Sequence, residues 1–371
     1  MTKKLKVMTI FGTRPEAIKM APIVLQLQQQ TDKFIPITVV TAQHREMLDQ
    51  VLAIFKIKPD YDLNIMQPNQ TLADITSRVL TKLDAIMAEA QPDIVLVHGD
   101  TTTTFAASVS AFYHQIPVGH VEAGLRTWNK YSPYPEEMNR QLTDVLADLY
   151  FAPTELSQAN LLKENHPADQ ITVTGNTAID ALKQTVNDQY HHAVLDLVQP
   201  GHRMILLTMH RRENQGTPMA GVFETIKKVV ASHPDVEVVY PVHLSPAVQT
   251  VAKRILGHTD RIHLIDPLDV VDFHNMSARS YFIMTDSGGV QEEAPSLNKP
   301  VLVLRDSTER PEGVTAGTLK LVGTDTTKVQ AAMESLLDDQ AEYDRMAAAK
   351  NPYGDGHAAE YILDAIWQKF N

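Results

Sequence analysis

The 371-residue sequence contains no cysteine. Disulfides, thiol nucleophiles and cysteine-ligated metals are excluded, and the chain fits a reducing cytoplasm. No apolar run approaches the ~20 residues that a membrane span needs. At the N-terminus, Met1-Thr2-Lys3-Lys4-Leu5 leads straight into a strand from Lys6, without a signal peptide's long apolar stretch or small-residue cleavage site. Basic charge is scarce too: a net charge of −12 leaves no broad basic surface for nonspecific nucleic-acid binding. The dinucleotide fingerprint G-x-G-x-x-G does not occur, which removes support from NAD-dependent chemistry. The metal-ligand spacing H-x-x-x-H does not occur either.

What is present is a regular alternation of apolar strands and amphipathic helices. The first half reads as strands at Lys6–Phe11, Ile35–Thr41, Ile94–His98, Val118–Val121, Leu149–Ala152 and Ile171–Thr174. Helices fall between them, as at Glu16–Gln30, Thr71–Ala90 and Glu136–Ala147. The second half repeats the theme, with strands at Met204–Met209, Val236–Pro241, Ile262–Ile265, Tyr281–Thr285 and Val301–Leu304. Continuous Val/Ile/Leu runs mark parallel strands covered on both faces, and strand-helix-strand repetition implies right-handed crossovers in open α/β sheets. The length suits two domains. They meet near Gly175 to Gly201, where a polar segment carries Pro200-Gly201. The sequence leaves open which domain the last helix, from about His357 to Phe370, packs on.

In open α/β sheets ligands bind beyond the carboxyl ends of the strands, and the unusual residues of this chain concentrate there. Tyr281 to Thr285 runs into Asp286-Ser287-Gly288-Gly289, where two glycines open a helix. Outward N–H groups at such a turn suit a phosphate; Glu293 follows one turn later, and Arg310 adds a positive fork after the next strand. The first strand ends in Phe11-Gly12-Thr13-Arg14-Pro15-Glu16, with Lys19 one turn into the helix; charges at an ordinary helix start are the alternative. Asp100 follows His98-Gly99 and precedes four threonines, which suits proton transfer, sugar binding or a helix cap. Glu122 follows an apolar run, where an unpaired carboxylate would be costly, so a partner or ligand is implied. Glu136 stands behind Pro135 in the first turn of a helix, where it either serves chemistry or answers the helix dipole. The second half offers His210-Arg211-Arg212 and Pro241-Val242-His243 after its first two strands. The neighbouring arginines would disfavour protonation of His210.

Taken together, Phe11-Gly12-Thr13-Arg14-Pro15-Glu16, His98-Gly99-Asp100, Glu122-Ala123-Gly124-Leu125-Arg126, Pro135-Glu136-Glu137-Met138-Asn139-Arg140, His210-Arg211-Arg212-Glu213-Asn214, Asp286-Ser287-Gly288-Gly289 and Thr308-Glu309-Arg310-Pro311-Glu312 resemble the non-hydrolysing bacterial UDP-N-acetylglucosamine 2-epimerases. The resemblance spans nearly the whole chain and keeps motif order. It implies two Rossmann-like α/β domains facing across a cleft, as in glycosyltransferase-B folds. The first would hold residues 1–174, joined by the C-terminal helix 355–371, and the second residues 175–354. It further implies a homodimer, the reversible conversion of UDP-GlcNAc to UDP-ManNAc for cell-surface polysaccharide, and no metal or redox cofactor. By motif, Asp100, Glu122, Glu136 and His210 would carry catalysis. Arg14, Lys19, Ser287, Gly288, Gly289 and Arg310 would hold the diphosphate and neighbouring groups, with Phe273 beside the uracil and Glu293 on the ribose. Leu268 stands where the family often has Gln. Gln43, Glu136, Arg211 and His243 match a second UDP-GlcNAc site through which some members are activated.

The chemistry expected of such a site is elimination. The C2 proton of a glycoside has no neighbouring carbonyl, so it becomes acidic only as UDP departs from C1. Re-addition of UDP after protonation from the other face inverts C2. This requires a firm hold on the leaving diphosphate and carboxyl groups near both faces of C2. A hydrolysing relative and a UDP-sugar glycosyltransferase on the same fold are the competing readings.

Overall fold

The computed structural model describes residues 3–43 and 45–371. The chain divides into two compact units, Met1–Ala181 with Tyr353–Asn371, and Leu182–Pro352.

The first unit is built on seven parallel strands: β1 (Leu5–Phe11), β2 (Phe34–Val40), β3 (Tyr61–Asp62), β4 (Ile94–His98), β5 (Val118–Val121), β6 (Leu149–Ala152) and β7 (Ile171–Val173). Their order is β3-β2-β1-β4-β5-β6-β7. Side chains of β1 alternate between two cores, as strand geometry dictates. Val7 and Phe11 pack with Ala17 and Met20 of the helix Arg14–Gln29 and with Ile362 and Ile366 near the C-terminus. Met8 and Ile10 pack on the other face with Val79, Leu83, Ala106 and Ala107. The helix Ala358–Phe370 belongs to this unit. Asp180 accepts from the backbone N–H groups of Ala358 and Ala359 at 3.2 and 2.9 Å, satisfying two donors at the start of that helix.

The second unit carries six parallel strands: β8 (Arg203–Thr208), β9 (Val236–Pro241), β10 (Ile262–Ile265), β11 (Phe282–Thr285), β12 (Val301–Val303) and β13 (Leu319–Leu321). Their order is β10-β9-β8-β11-β12-β13. Ile205 and Leu207 face a core shared with Val222, Ile226 and Met333, while Met204 and Leu206 face Met276, Val290 and Ala294. The short edge strands β3 and β13 extend the sheets beyond what the sequence pattern indicates. Among the described residues, no helix is long and apolar enough to cross a membrane.

In each sheet the first strand of the unit lies beside a strand that is not its sequence neighbour: β1 beside β4, and β8 beside β11. These are the points where strand order reverses and where loops splay apart to leave a crevice.

Candidate functional site

At the β1/β4 reversal the chain after β1 turns at Gly12, where an added Cβ would lie 1.9 Å from the Thr41 hydroxyl. Thr13 caps the helix Arg14–Gln29, and Glu16 closes the reciprocal capping box. One Glu16 oxygen accepts from the N–H groups of Gly12 and Thr13; the other accepts from the hydroxyls of Thr101 and Thr104. Burial pushes this carboxyl upward against those bonds. Glu16 thus ties the loop after β1 to the loop after β4 and has a structural task. Arg14 stays exposed at the rim.

Thr101, not Asp100, caps the helix Thr102–Tyr113. That leaves the Asp100 side chain for other partners: its carboxylate meets Arg140 at 2.7 Å, and Asn139 donates to its backbone carbonyl at 2.9 Å. Burial raises the Asp100 carboxyl, Arg140 opposes this, and Glu122 and Glu136 push the same way as burial. The three acids and Lys19 therefore act on one another within this unit.

Glu122, at the end of β5, adopts a left-handed backbone with φ of 66°. Few non-glycine residues do so without a compensating role. Its carboxylate is ion-paired with Lys19 and accepts from Asn176 Nδ2 at 2.8 Å. The partner that its apolar surroundings demand is thus Lys19, so part of that ammonium's charge is already engaged. Glu136 opens the helix Glu136–Leu146 behind Pro135.

Beneath Glu122 lies His98, buried, with Nε2 3.8 Å from the Glu122 carboxylate. Neither ring nitrogen has a hydrogen-bond partner among the described residues. Burial drives the imidazole down to about 3, opposed by Glu122 and reinforced by Lys19 and His120. The unfolded chain then binds a proton near the ordinary value while the folded chain does not. This stabilisation is complete above the unfolded value and is lost as pH falls from about 6.5 towards 3, at up to ~1.4 kcal/mol per pH unit. Denaturant unfolding of His98→Gln between pH 7 and 4 should show a shallower loss of stability than wild type. Parallel curves would contradict the buried neutral ring.

At the β8/β11 reversal of the second unit, Asp286 is fully buried. It accepts from the backbone N–H of His210 and of Arg211, at 3.0 and 2.9 Å, and from Asn214 Nδ2 at 3.0 Å. Arg211 Nε donates to the Asp286 carbonyl at 2.8 Å. Asp286 is therefore the post around which the loop after β8 is wound. The His210 ring stacks on His243 with centroids 5.3 Å apart. Burial lowers the His210 imidazole, Asp286 opposes, and His243 and Arg211 add to the lowering. The sign matches the sequence-based expectation; the leading cause is burial rather than the arginines.

Gly288 opens the helix Gly288–Glu293. A Cβ there would lie 2.9 Å from the guanidinium carbon of Arg310, so only glycine lets Arg310 lie over this turn. Arg310 is aimed by Glu292, which accepts from Nε at 2.8 Å, and by Glu309 at 2.9 Å. Glu293 lies 3.4 Å from His274, whose other nitrogen faces the Thr185 hydroxyl at 2.6 Å. Phe273 precedes His274 on the helix Val270–Arg279 and is half-buried beside Leu268 in the same core cluster.

The expected site residues fall into two groups. Lys19, Asp100, Glu122 and Glu136 gather in the first unit, as does Gln43, which accepts from the Thr103 hydroxyl at 3.0 Å. His210, Arg211, His243, Ser287, Gly288, Gly289, Glu293, Arg310 and Phe273 belong to the second. Sequence reading overlooked Arg140 as the partner of Asp100, Asn176 as a second partner of Glu122, and Asp286 as the organiser of the His210 loop. Arg140 and Asp286 were present only as neighbours inside recognised motifs, and Asn176 lies outside them. Among the described residues no group of three or more His, Asp or Glu is placed to hold a metal ion.

The family model described as UDP-N-acetylglucosamine 2-epimerase matches residues 26–367. The UDP-N-acetylglucosamine 2-epimerase of Bacillus subtilis (strain 168) is 63% identical over 366 residues, covering 98% of this chain and 95% of its own. A crystal structure of a UDP-N-acetylglucosamine 2-epimerase superposes with a TM-score of 0.92 at 60% identity, covering 99% of this chain and 97% of its own. The Neisseria meningitidis UDP-GlcNAc 2-epimerase, solved bound to UDP-GlcNAc, gives 0.86 at 49% identity, covering 98% of this chain and 100% of its own. The two parallel-sheet units are those of a glycosyltransferase-B-like fold, and the chain belongs to the UDP-N-acetylglucosamine 2-epimerase family.

Proposed function

We propose that this protein interconverts UDP-GlcNAc and UDP-ManNAc by eliminating and re-adding UDP, without hydrolysis. The observation that carries this reading is the grouping of Asp100 and Glu122, just beyond two strand ends, with Glu136 at the start of the next helix of the same unit. Binding a dianionic nucleotide gains nothing from three carboxyl groups; moving a proton on and off a sugar carbon does.

In the proposed sequence the C1–O bond breaks and its electron pair leaves with the diphosphate. A carboxylate takes the C2 proton, and the C–H pair closes the C1=C2 double bond of 2-acetamidoglucal. Glu122, held as a carboxylate against Lys19, suits the base. Asp100, raised by burial, suits the group that returns a proton to the opposite face. UDP then re-adds at C1. The second unit would hold the leaving group: Arg310 over Gly288 would meet the growing negative charge with Ser287 and Gly289 of the same turn, and His210 would join them from the loop that Asp286 holds. Arg14 would complete the diphosphate contacts. Glu293 would take the ribose hydroxyls and Phe273 the uracil. Gln43, Glu136, Arg211 and His243 are the contacts proposed for a second, activating UDP-GlcNAc.

The purified protein should form nucleotide-linked ManNAc from UDP-GlcNAc and reach the same mixture from UDP-ManNAc. Stoichiometric free ManNAc would select the hydrolysing reading instead. A strict need for a sugar acceptor would select a glycosyltransferase.

A further inference from the structure

His120 lies in the middle of the first sheet, fully buried in β5, and none of the chemistry above uses it. A buried histidine is ordinarily a neutral ring with one nitrogen donating and the other accepting. Here both nitrogens face acceptors. Nδ1 is 2.6 Å from Asp144 Oδ1, and Nε2 is 2.7 Å from the carbonyl oxygen of Gly99. The Gly99 carbonyl can only accept, so Nε2 must carry hydrogen. Asp144 can only accept as well if it is ionised. Burial works against that, but the Arg126 guanidinium donates to its Oδ2 and favours the ionised carboxylate.

The remaining charges on this chain of contacts balance. Arg126 donates to Asp144 Oδ2 at 2.6 Å and to Glu164, and the Gly124 N–H reaches Asp144 Oδ2 at 3.4 Å. Tyr150 directs its hydroxyl to the backbone carbonyls of Asp144 and Ala147, not to the carboxylate. A ring with a proton on each nitrogen is thus paired rather than stranded.

Its second N–H goes to a consequential place. The Gly99 carbonyl belongs to the peptide that enters Asp100. Gly99 has φ of 67°, and a glycine allows that peptide more than one orientation. The bond from His120 selects one. Beyond Asp100, Asn139 holds the next carbonyl. The Asp100 backbone is therefore fixed on both sides before Arg140 takes its carboxylate.

We propose that His120, protonated on both ring nitrogens, is a positioning residue that fixes the Gly99–Asp100 peptide and thereby aims the Asp100 carboxyl group. The inference rests on the reading that Asp100 is catalytic. His120→Asn keeps a donor for Asp144 but cannot reach Gly99, so kcat should fall about 100-fold, the loss expected of a displaced catalytic group, with KM little changed. His120→Gln, which can reach Gly99, should retain more activity. In an Asp100→Asn background, His120→Asn should cost less than about twofold further, because both act through one carboxyl group. Equal losses in both backgrounds, or a kcat unchanged in His120→Asn, would overturn the proposal. If the wild type itself fails to interconvert the nucleotide sugars, the functional reading fails instead. The ring can still be judged in that case, or if neither variant folds. Nitrogen NMR of wild-type protein with labelled histidine should show a buried ring protonated on both nitrogens at neutral pH; only neutral tautomers among the buried rings would refute it.

Discussion

Asp100→Asn should slow interconversion by about 10²–10⁴-fold, the range for loss of a positioned proton-transfer group. Glu122→Gln should cost a similar amount. The two substitutions differ in what they leave behind. Asp100→Asn removes the anion facing Arg140 at 2.7 Å, while Glu122→Gln removes the partner of Lys19. Each change weakens the ion pairing of a partly buried cation and should lower stability, so thermal unfolding should be recorded beside the rates. UDP binding, proposed to rest mainly on the second unit, should be nearly unaffected by either change. Steady-state kinetics with both epimers, together with UDP calorimetry, check this. A loss of UDP affinity matching the loss of rate would place these acids in recognition rather than in chemistry.

Arg310→Ala should lower kcat/KM by about 10²–10³-fold, as removal of one stabilising group from a developing anion does elsewhere. Much of the loss should fall on kcat, because the diphosphate carries more negative charge as the C1–O bond breaks than it does in the bound substrate. Gly288→Ala tests the same contact from the other side. Its Cβ would lie 2.9 Å from the guanidinium carbon of Arg310, so the arginine must shift. The loss should go in the same direction and be smaller, since the far end of a flexible side chain can move. An increase in KM with unchanged kcat for Arg310→Ala would mean that this charge binds substrate and transition state equally.

The reach of the sequence can be judged residue by residue. Strands such as Ile94–His98 and Phe282–Thr285 are legible because strands buried on both faces are written as apolar runs. The strand β3 has only two residues, Tyr61-Asp62, and β13 is interrupted by Lys320, so neither carries such a run. The placement of the last helix depends on long-range packing, with Trp367 set edge-on against Phe34 at 5.6 Å, which no local pattern encodes. In the candidate site Asp100 and Glu122 are legible because each follows a strand end, and Glu136 because it stands behind Pro135 at a helix start. Their partners are not. Arg140 reaches Asp100 across 40 positions of sequence, and Asp286 gathers a loop more than 70 residues upstream. Glu16 and Asp286 look alike as motif acids; only their hydrogen bonds show both to be framework.

The central claim is that the C2 proton leaves and returns while UDP is detached from C1. Incubation of the protein with UDP-GlcNAc in D₂O tests it most directly, with the product read by NMR and mass spectrometry. The elimination route requires one solvent deuterium at C2 of the UDP-ManNAc formed, and in recovered UDP-GlcNAc as the reaction reverses. UDP-ManNAc formed with its original C2 hydrogen retained would contradict it.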